Sequence, residues 1–320
     1  MTTVLASQFL ATRLRRLDSS LPKESRRVLT AADDEAVHDL RVTIRKLRIV
    51  MKLARPVFGR FHADAVRAAF AAAQSATGNL RDEEALEETL EALKITDASF
   101  ETWLTSRRAR RRTLHRAVVT TLQQGDFRRA RRLLAALLVL PAEPNKSSDL
   151  ARFAQKCVND ARKFVDRHRH AESTDVEALH ELRIAYKGLR YTVETFADVL
   201  PADLKALREP AVKMQKLLGD VHDVDVALGI VASATGLSEP LKNRMHTALD
   251  ARRTAKIAEF AAAMHPEPPA EDAAATPARR VAKPATPKVL KLPRDAKRAK
   301  VVKRAKPGPR AAKRVSKKRT

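Results

Sequence analysis

Cysteine is nearly absent from this chain. Cys157 is the only one in 320 residues, so no intramolecular disulfide can form, and such usage fits a reducing, cytoplasmic setting. Phe, Tyr and Trp together make up 4% of the sequence, which argues against a stacking platform for single-stranded nucleic acid. Only 8 glycines occur, and none builds a Gly-rich phosphate loop or a nucleophile elbow. Alternating β-branched runs are scarce, so strands are not expected. The longest apolar run, Leu133 to Ala142, is about half the ~20 residues that cross a bilayer. Met1 to Leu17 lacks the basic start, apolar centre and small-residue cleavage site of a secretory signal. These absences point to a soluble protein with no membrane partner.

Positive charge is what the chain has in excess. There are 63 Lys+Arg against 38 Asp+Glu, a formal net charge of +25. Residues 266–320 hold 18 of the basic residues and four of the acids, leaving an excess of 11 in the first 265. The body is therefore basic in its own right. Such an excess repels itself and calls for an anionic partner or surface.

Ala, Leu, Arg and Glu dominate the body, and apolar residues recur at helical spacing, as at Leu10, Leu14, Leu17 and Leu21. Asp33, Asp34 and Glu35 suit the first turn of a helix. Pro56, Pro141, Pro201 and Gly236 punctuate the pattern, and Pro141–Asp149 reads as a linker between two halves, 1–145 and 146–264. Residues 265–320 are mostly Ala, Pro, Lys and Arg. They offer too little apolar surface to offset chain entropy, and disorder is expected there.

An internal repeat organises the body. Val37–Arg48 reads VHDLRVTIRKLR and Leu179–Arg190 reads LHELRIAYKGLR, with five of twelve positions identical. Gln74–Asp82 (QSATGNLRD) matches Gln215–Asp223 (QKLLGDVHD) at Gln, Gly and Asp. The offsets are 142 and 141 residues, so both pairs belong to one duplication.

At about 100° per residue, positions i, i+3, i+7 and i+10 share about 80° of a helix surface. Those positions are His38, Arg41, Arg45 and Arg48, and in the second copy His180, Arg183, Lys187 and Arg190. Leu40 and Leu47, like Leu182 and Leu189, lie on the opposite side. Each helix thus presents a basic stripe about 15 Å long over a leucine face. Like charges at this spacing weaken a helix. A solvated face would intersperse Glu with Lys, and the repetition of the stripe argues against that reading. Arginine forks clasp phosphate oxygens bidentately, and a row of them suits a polymer of phosphates. Histidine adds a donor that a nearby phosphate keeps protonated.

At these residues the chain resembles the conserved histidine α-helical domain (CHAD) family. The resemblance covers roughly residues 1–264 and rests on VHDLRVTIRKLR, LHELRIAYKGLRYTVETF and the glycine–aspartate corners GNLRD and LGDVHD. It implies an all-α fold of two tandem four-helix bundles related by a pseudo-twofold axis. It further implies a positive groove lined by the paired basic helices, with inorganic polyphosphate as ligand. Carried onto this sequence, the binding set is His38, Arg41, Arg45, Arg48, His180, Arg183, Lys187 and Arg190, with Lys213 and Lys216 as additions. Ala72 and Ser75 stand where the second copy has Lys213 and Lys216, so the two walls of the groove are expected to be unequal. Many members carry a triphosphate-tunnel hydrolase domain. No Glu-x-Glu-x-Lys motif of that kind is found here, and phosphatase chemistry by that route is not expected.

Other constellations are weaker. His222–Asp223 and His38–Asp39 bring to mind metal phosphohydrolases, but His115, His168 and His170 do not supply the further ligands such a site needs. The aspartate of each corner is expected to cap a helix or orient a groove arginine. Arg107–Arg112, Arg128–Arg132, and the group Arg162, Lys163, Arg167, His168, Arg169 and His170 read as solvated helix faces able to extend the groove's field. The expectation is a polyphosphate-binding protein, not an enzyme, with no metal or cofactor, placed on polyphosphate granules. The alternative is a nucleoid-associated protein whose basic tail binds DNA without sequence preference.

Overall fold

A computed structural model describes residues 5–31, 35–139 and 149–264. Every regular element among them is a helix. The first half contributes α1 (Ala6–Leu29), α2 (Ala36–Leu53), the short α3 (Arg55–Phe58), α4 (Arg60–Ser75), α5 (Gly78–Glu91), α6 (Ala98–Gln124) and α7 (Asp126–Val139). The second contributes α8 (Leu150–His168), α9 (Val176–Phe196), the short α10 (Ala202–Ala206), α11 (Arg208–Ala232) and α12 (Glu239–Met264). Among the described residues no helix is long and apolar enough to cross a membrane.

Helix ends follow local chemistry. Asp97, Asp149 and Asp175 cap α6, α8 and α9, each carboxylate accepting a backbone N–H of the first turn. Gly125 ends α6 in a left-handed conformation at φ 117°, which a side chain would resist. Pro56 lies in the first turn of α3 just after α2 closes, and Pro201 precedes α10. Gly236, at φ 87°, turns the chain between α11 and α12. Of the expected acidic start of α2, only Glu35 is described, and its side chain does not cap the helix. Pro141, the rest of the expected linker up to Ser148, and residues 265–320 lie outside the described residues.

The leucine faces bury as their spacing requires. Leu40, Ile44, Leu47 and Met51 of α2, with Leu182 and Leu189 of α9, enter one continuous core with Leu10, Leu14 and Leu21 of α1. In the first half α1, α2, α4 and α7 pack in succession, and in the second α8, α9, α11 and α12 do so. α2 meets α9 across the two halves. This is the duplicated all-α bundle.

The second glycine–aspartate segment is not a corner. In the first copy the chain breaks after Ser75 and α5 starts at Gly78, whereas α11 runs unbroken through Gly219 to Ala232. Thr77 is the reason in the first copy. Its hydroxyl donates to the Gln74 carbonyl (2.7 Å), and Arg41 Nη1 donates to the same carbonyl (3.1 Å) and to Thr77 Oγ1 (2.8 Å). These bonds satisfy the helix end. Leu218 stands at the position of Thr77 in the second copy, lies in the core, and favours a continuous helix. Neither Asp82 nor Asp223 therefore caps a helix: Asp82 sits inside α5 and Asp223 in the middle of α11. The break turns α5 aside to pack on α6 and α11, where Leu86, Leu90, Phe100 and Trp103 meet Val224, Val231 and Leu241 in a second core.

Candidate anion-binding groove

Packing of α2 on α9 places the two basic stripes against each other, with all eight stripe residues partly buried. The interaction is reciprocal, as a pseudo-twofold demands. The charge of Arg41 acts on Lys187, and that of Arg45 on Arg183, its counterpart pair under the 142-residue offset. Arg45 and Lys187 are themselves equivalent positions, and the charge of Arg45 acts on Lys187.

Several stripe residues are held by neutral groups. Besides its bonds to Gln74 and Thr77, Arg41 makes no salt bridge among the described residues, and Arg48 Nη1 donates to Gln74 Oε1 at 2.6 Å. Arg45 and Lys187 form neither a hydrogen bond nor a salt bridge there. Arg183 Nε is buried without a hydrogen-bond partner, close to Gly219. The His180 and His222 rings approach to 5.1 Å between centroids. Arg190 differs: Glu194 accepts from its Nε at 2.8 Å, and its guanidinium lies 5.2 Å from the Tyr191 ring.

The electrostatic result is a positive site that Asp82 and Asp223 offset only in part. Burial, with Arg183, Arg45 and Arg41 nearby, pushes the Lys187 ammonium down to about 7, with Asp223 opposing. Burial and the charges of Arg183, His180 and Lys187 take His222 down to about 4. His38 is lowered by burial and by Arg81, and Arg41 and Arg183 are lowered mainly by burial. Asp223 is raised by burial despite Arg183 and Arg81 nearby, so its carboxylate gains little from a groove it does not bond directly. A buried charge without a hydrogen-bonded counter-ion is costly. An anion entering here would lower that cost for several residues at once.

Lys213 and Lys216 lie exposed on α11 and make no hydrogen bond or salt bridge among the described residues. The structure adds three cations that the repeat did not single out. Arg81 of α5 acts on His38 and Asp223, and Arg67 of α4 acts on Arg48 and on Lys52 of α2. Arg67 stands seven residues before Gln74, on the same face of α4, and that spacing is the signal for it. Arg81 directly precedes Asp82 as His222 precedes Asp223, so alignment of the two copies marks it too.

The other basic clusters have different fates. Arg107 and Arg110 both reach Glu83 (2.6 and 2.9 Å), Arg108 reaches Glu87 and Glu91 (2.6 and 2.7 Å), and Arg111 reaches Glu87 (3.2 Å). The acidic face of α5 thus neutralises much of that run. Arg131 forks onto both oxygens of Asp18 at 2.7 and 2.9 Å. Among the described residues no group of three or more His, Cys, Asp or Glu side chains is placed to hold a metal, and His222 and Asp223 face arginines instead.

Fold and site together define a duplicated helical bundle with a half-buried cluster of cations between α2 and α9. The chain belongs to the CHAD family, whose domain model matches residues 12–232. The CHAD domain crystal structure from the plant Ricinus communis superposes with a TM-score of 0.68 at 18% identity, covering 83% of this chain and 93% of that one. PptA from Streptomyces chartreusis superposes with a TM-score of 0.60 at 18% identity, covering 82% of this chain and 98% of that one. No curated protein matches.

Proposed function

We propose that the α2–α9 groove binds inorganic polyphosphate and that the protein is a binder without turnover. One observation carries the reading. Arg41, Arg45, Arg183 and Lys187 are brought together half-buried, and none has a carboxylate within salt-bridge distance among the described residues. Proteins pair buried charges or keep them for a ligand. The ligand must be anionic, with charge spread along its length to match two stripes of about 15 Å. Phosphate oxygens fit the guanidinium forks. In a cell this binding places the protein on polyphosphate deposits.

The test uses the full chain. Arg45→Gln together with Lys187→Gln removes two charge-assisted contacts, each about 1.5–3 kcal/mol, so affinity for long-chain polyphosphate falls on the order of 100-fold or more. Helical circular dichroism stays unchanged, because neither side chain makes a bond that holds the fold. Unaltered affinity would sink the groove assignment. Release of phosphate from polyphosphate by the wild-type chain would overturn the non-enzymatic reading.

A further inference from the structure

The two ends of the groove are not equivalent, and the difference is written in one pair of residues. Lys52, one turn after Arg48 on α2, occupies the place that Glu194 takes one turn after Arg190 on α9. Arg67 on α4 likewise corresponds to Arg208 on α11 under the 141-residue offset. At the second copy's end Glu194 accepts from Arg190 (2.8 Å) and draws in Arg208 (3.5 Å), so a carboxylate closes that exit. At the first copy's end no carboxylate does this. Arg48 is held by the neutral Gln74, and Arg67 and Lys52 make no salt bridge among the described residues. Burial, and after it the charge of Arg67, lowers both Arg48 and Lys52 from their ordinary values.

The positive tract then continues beyond the groove. The Lys52 ammonium lies 5.9 Å from the centre of the Phe164 ring on α8, and the Arg167 guanidinium lies 5.3 Å from the same ring. An aromatic ring shared by two cations brings them together without neutralising either. The route Arg45, Arg48, Arg67, Lys52, Arg167 is thus a run of cations from the centre of the groove to the first copy's outer edge, with one wall helix, α2, and two flanking helices, α4 and α8, contributing.

We infer that a polyphosphate chain longer than the groove leaves it in one direction, over Arg67, Lys52 and Arg167, and that Glu194 bars the equivalent exit at the other end. The inference rests on polyphosphate being the groove's ligand. It places the inequality of the walls at their outer ends. Lys213 and Lys216 enrich the second copy's helix, but at that copy's outer end Glu194 pairs with Arg190, and Arg208 is shared between Glu194 and Glu209.

Two probes, tripolyphosphate and long-chain polyphosphate, separate the outer tract from the groove centre. The full chain carrying Lys52→Gln and Arg67→Gln is compared with wild type and with Arg60→Gln/Arg152→Gln. That control loses the same net charge at two strongly exposed sites, 84% and 88% accessible at the side chain. Long-chain affinity of the tract variant falls on the order of tenfold, and its dependence on log salt becomes shallower by about 1.4, two contacts at about 0.7 each. Tripolyphosphate affinity stays within about twofold, since the short ligand is held by the central cations. Glu194→Gln raises long-chain affinity by several-fold by freeing Arg190, while Arg208 keeps its pair with Glu209. The inference is overturned if the tract variant matches the control, if both probes weaken equally, or if Glu194→Gln leaves long-chain binding unchanged or weaker. Failure of wild type to bind either probe would instead remove the groove reading itself.

Discussion

Replacing Lys187 with methionine separates what the groove costs the fold from what it gives the ligand. The stem length is nearly kept and the ammonium is lost. Lys187 is pushed from 10.5 to about 7 by burial and by Arg183, Arg45 and Arg41, with Asp223 of α11 the one opposing charge. That difference corresponds to on the order of 5 kcal/mol against the charged form. Relaxation and water entry reduce it, and exchanging buried charge for apolar volume stabilises other proteins by about 1–4 kcal/mol. A gain of about 2 kcal/mol raises Tm by roughly 4–8 °C for a body of this size. The sign fixes the pH window. Below pH 7 Lys187 is protonated in both folded and unfolded chains, and the full penalty applies. Between about 7 and 10.5 the unfolded chain binds more protons, so wild-type stability recovers with rising pH and the gap to Lys187→Met narrows. Thermal unfolding followed by circular dichroism at pH 6 and pH 9 reads both values. With long-chain polyphosphate added at pH 6 the order reverses, because the variant loses a ligand contact. A variant no more stable than wild type at pH 6, or a gap equal at pH 6 and 9, would refute the argument.

Three further outcomes follow from the same geometry. Gly219→Ala raises Tm, because a Cβ there would meet Arg183 Nε at an ordinary 3.9 Å; helix propensity adds about 1 kcal/mol, and a loss of stability would restore the corner reading. Asp223→Asn tightens polyphosphate binding in a fluorescence titration, since it removes a carboxylate that acts on Arg183 and Lys187; weaker binding would show that Asp223 serves to orient Arg183. Arg183→Gln weakens polyphosphate binding in the same titration, because it removes the cation whose charge acts most strongly on Lys187, and unchanged affinity would contradict that placement.

Much of the candidate site's arrangement was legible in the sequence. The twelve-residue repeat put the eight stripe residues on one face of each helix and their leucines in the core, because helical periodicity and amphipathicity are local properties. What escaped depends on contacts between helices. The second core joins residues that the 141-residue offset pairs with one another, Leu90 with Val231 and Phe100 with Leu241, and they meet only through the fold. The glycine–aspartate match suggested two corners, but Thr77 against Leu218 decides that only one exists. The basic run Arg107–Arg112 and the acidic stretch Glu83–Glu91 stand apart in the chain, and their mutual neutralisation needed α5 laid along α6. The inequality of the walls was expected from Lys213 and Lys216, yet Lys52 against Glu194 at the outer ends is what the packing makes decisive.

The central claim is that the helical body, not the basic tail, holds the polyanion. Residues 1–268 form a compact unit with its own core and can be titrated alone with long-chain polyphosphate and with duplex DNA across a range of salt. The account predicts tight polyphosphate binding that persists near physiological salt, with duplex DNA bound much more weakly at every concentration. Weak binding of both, with affinity returning only when residues 269–320 are restored, would contradict it.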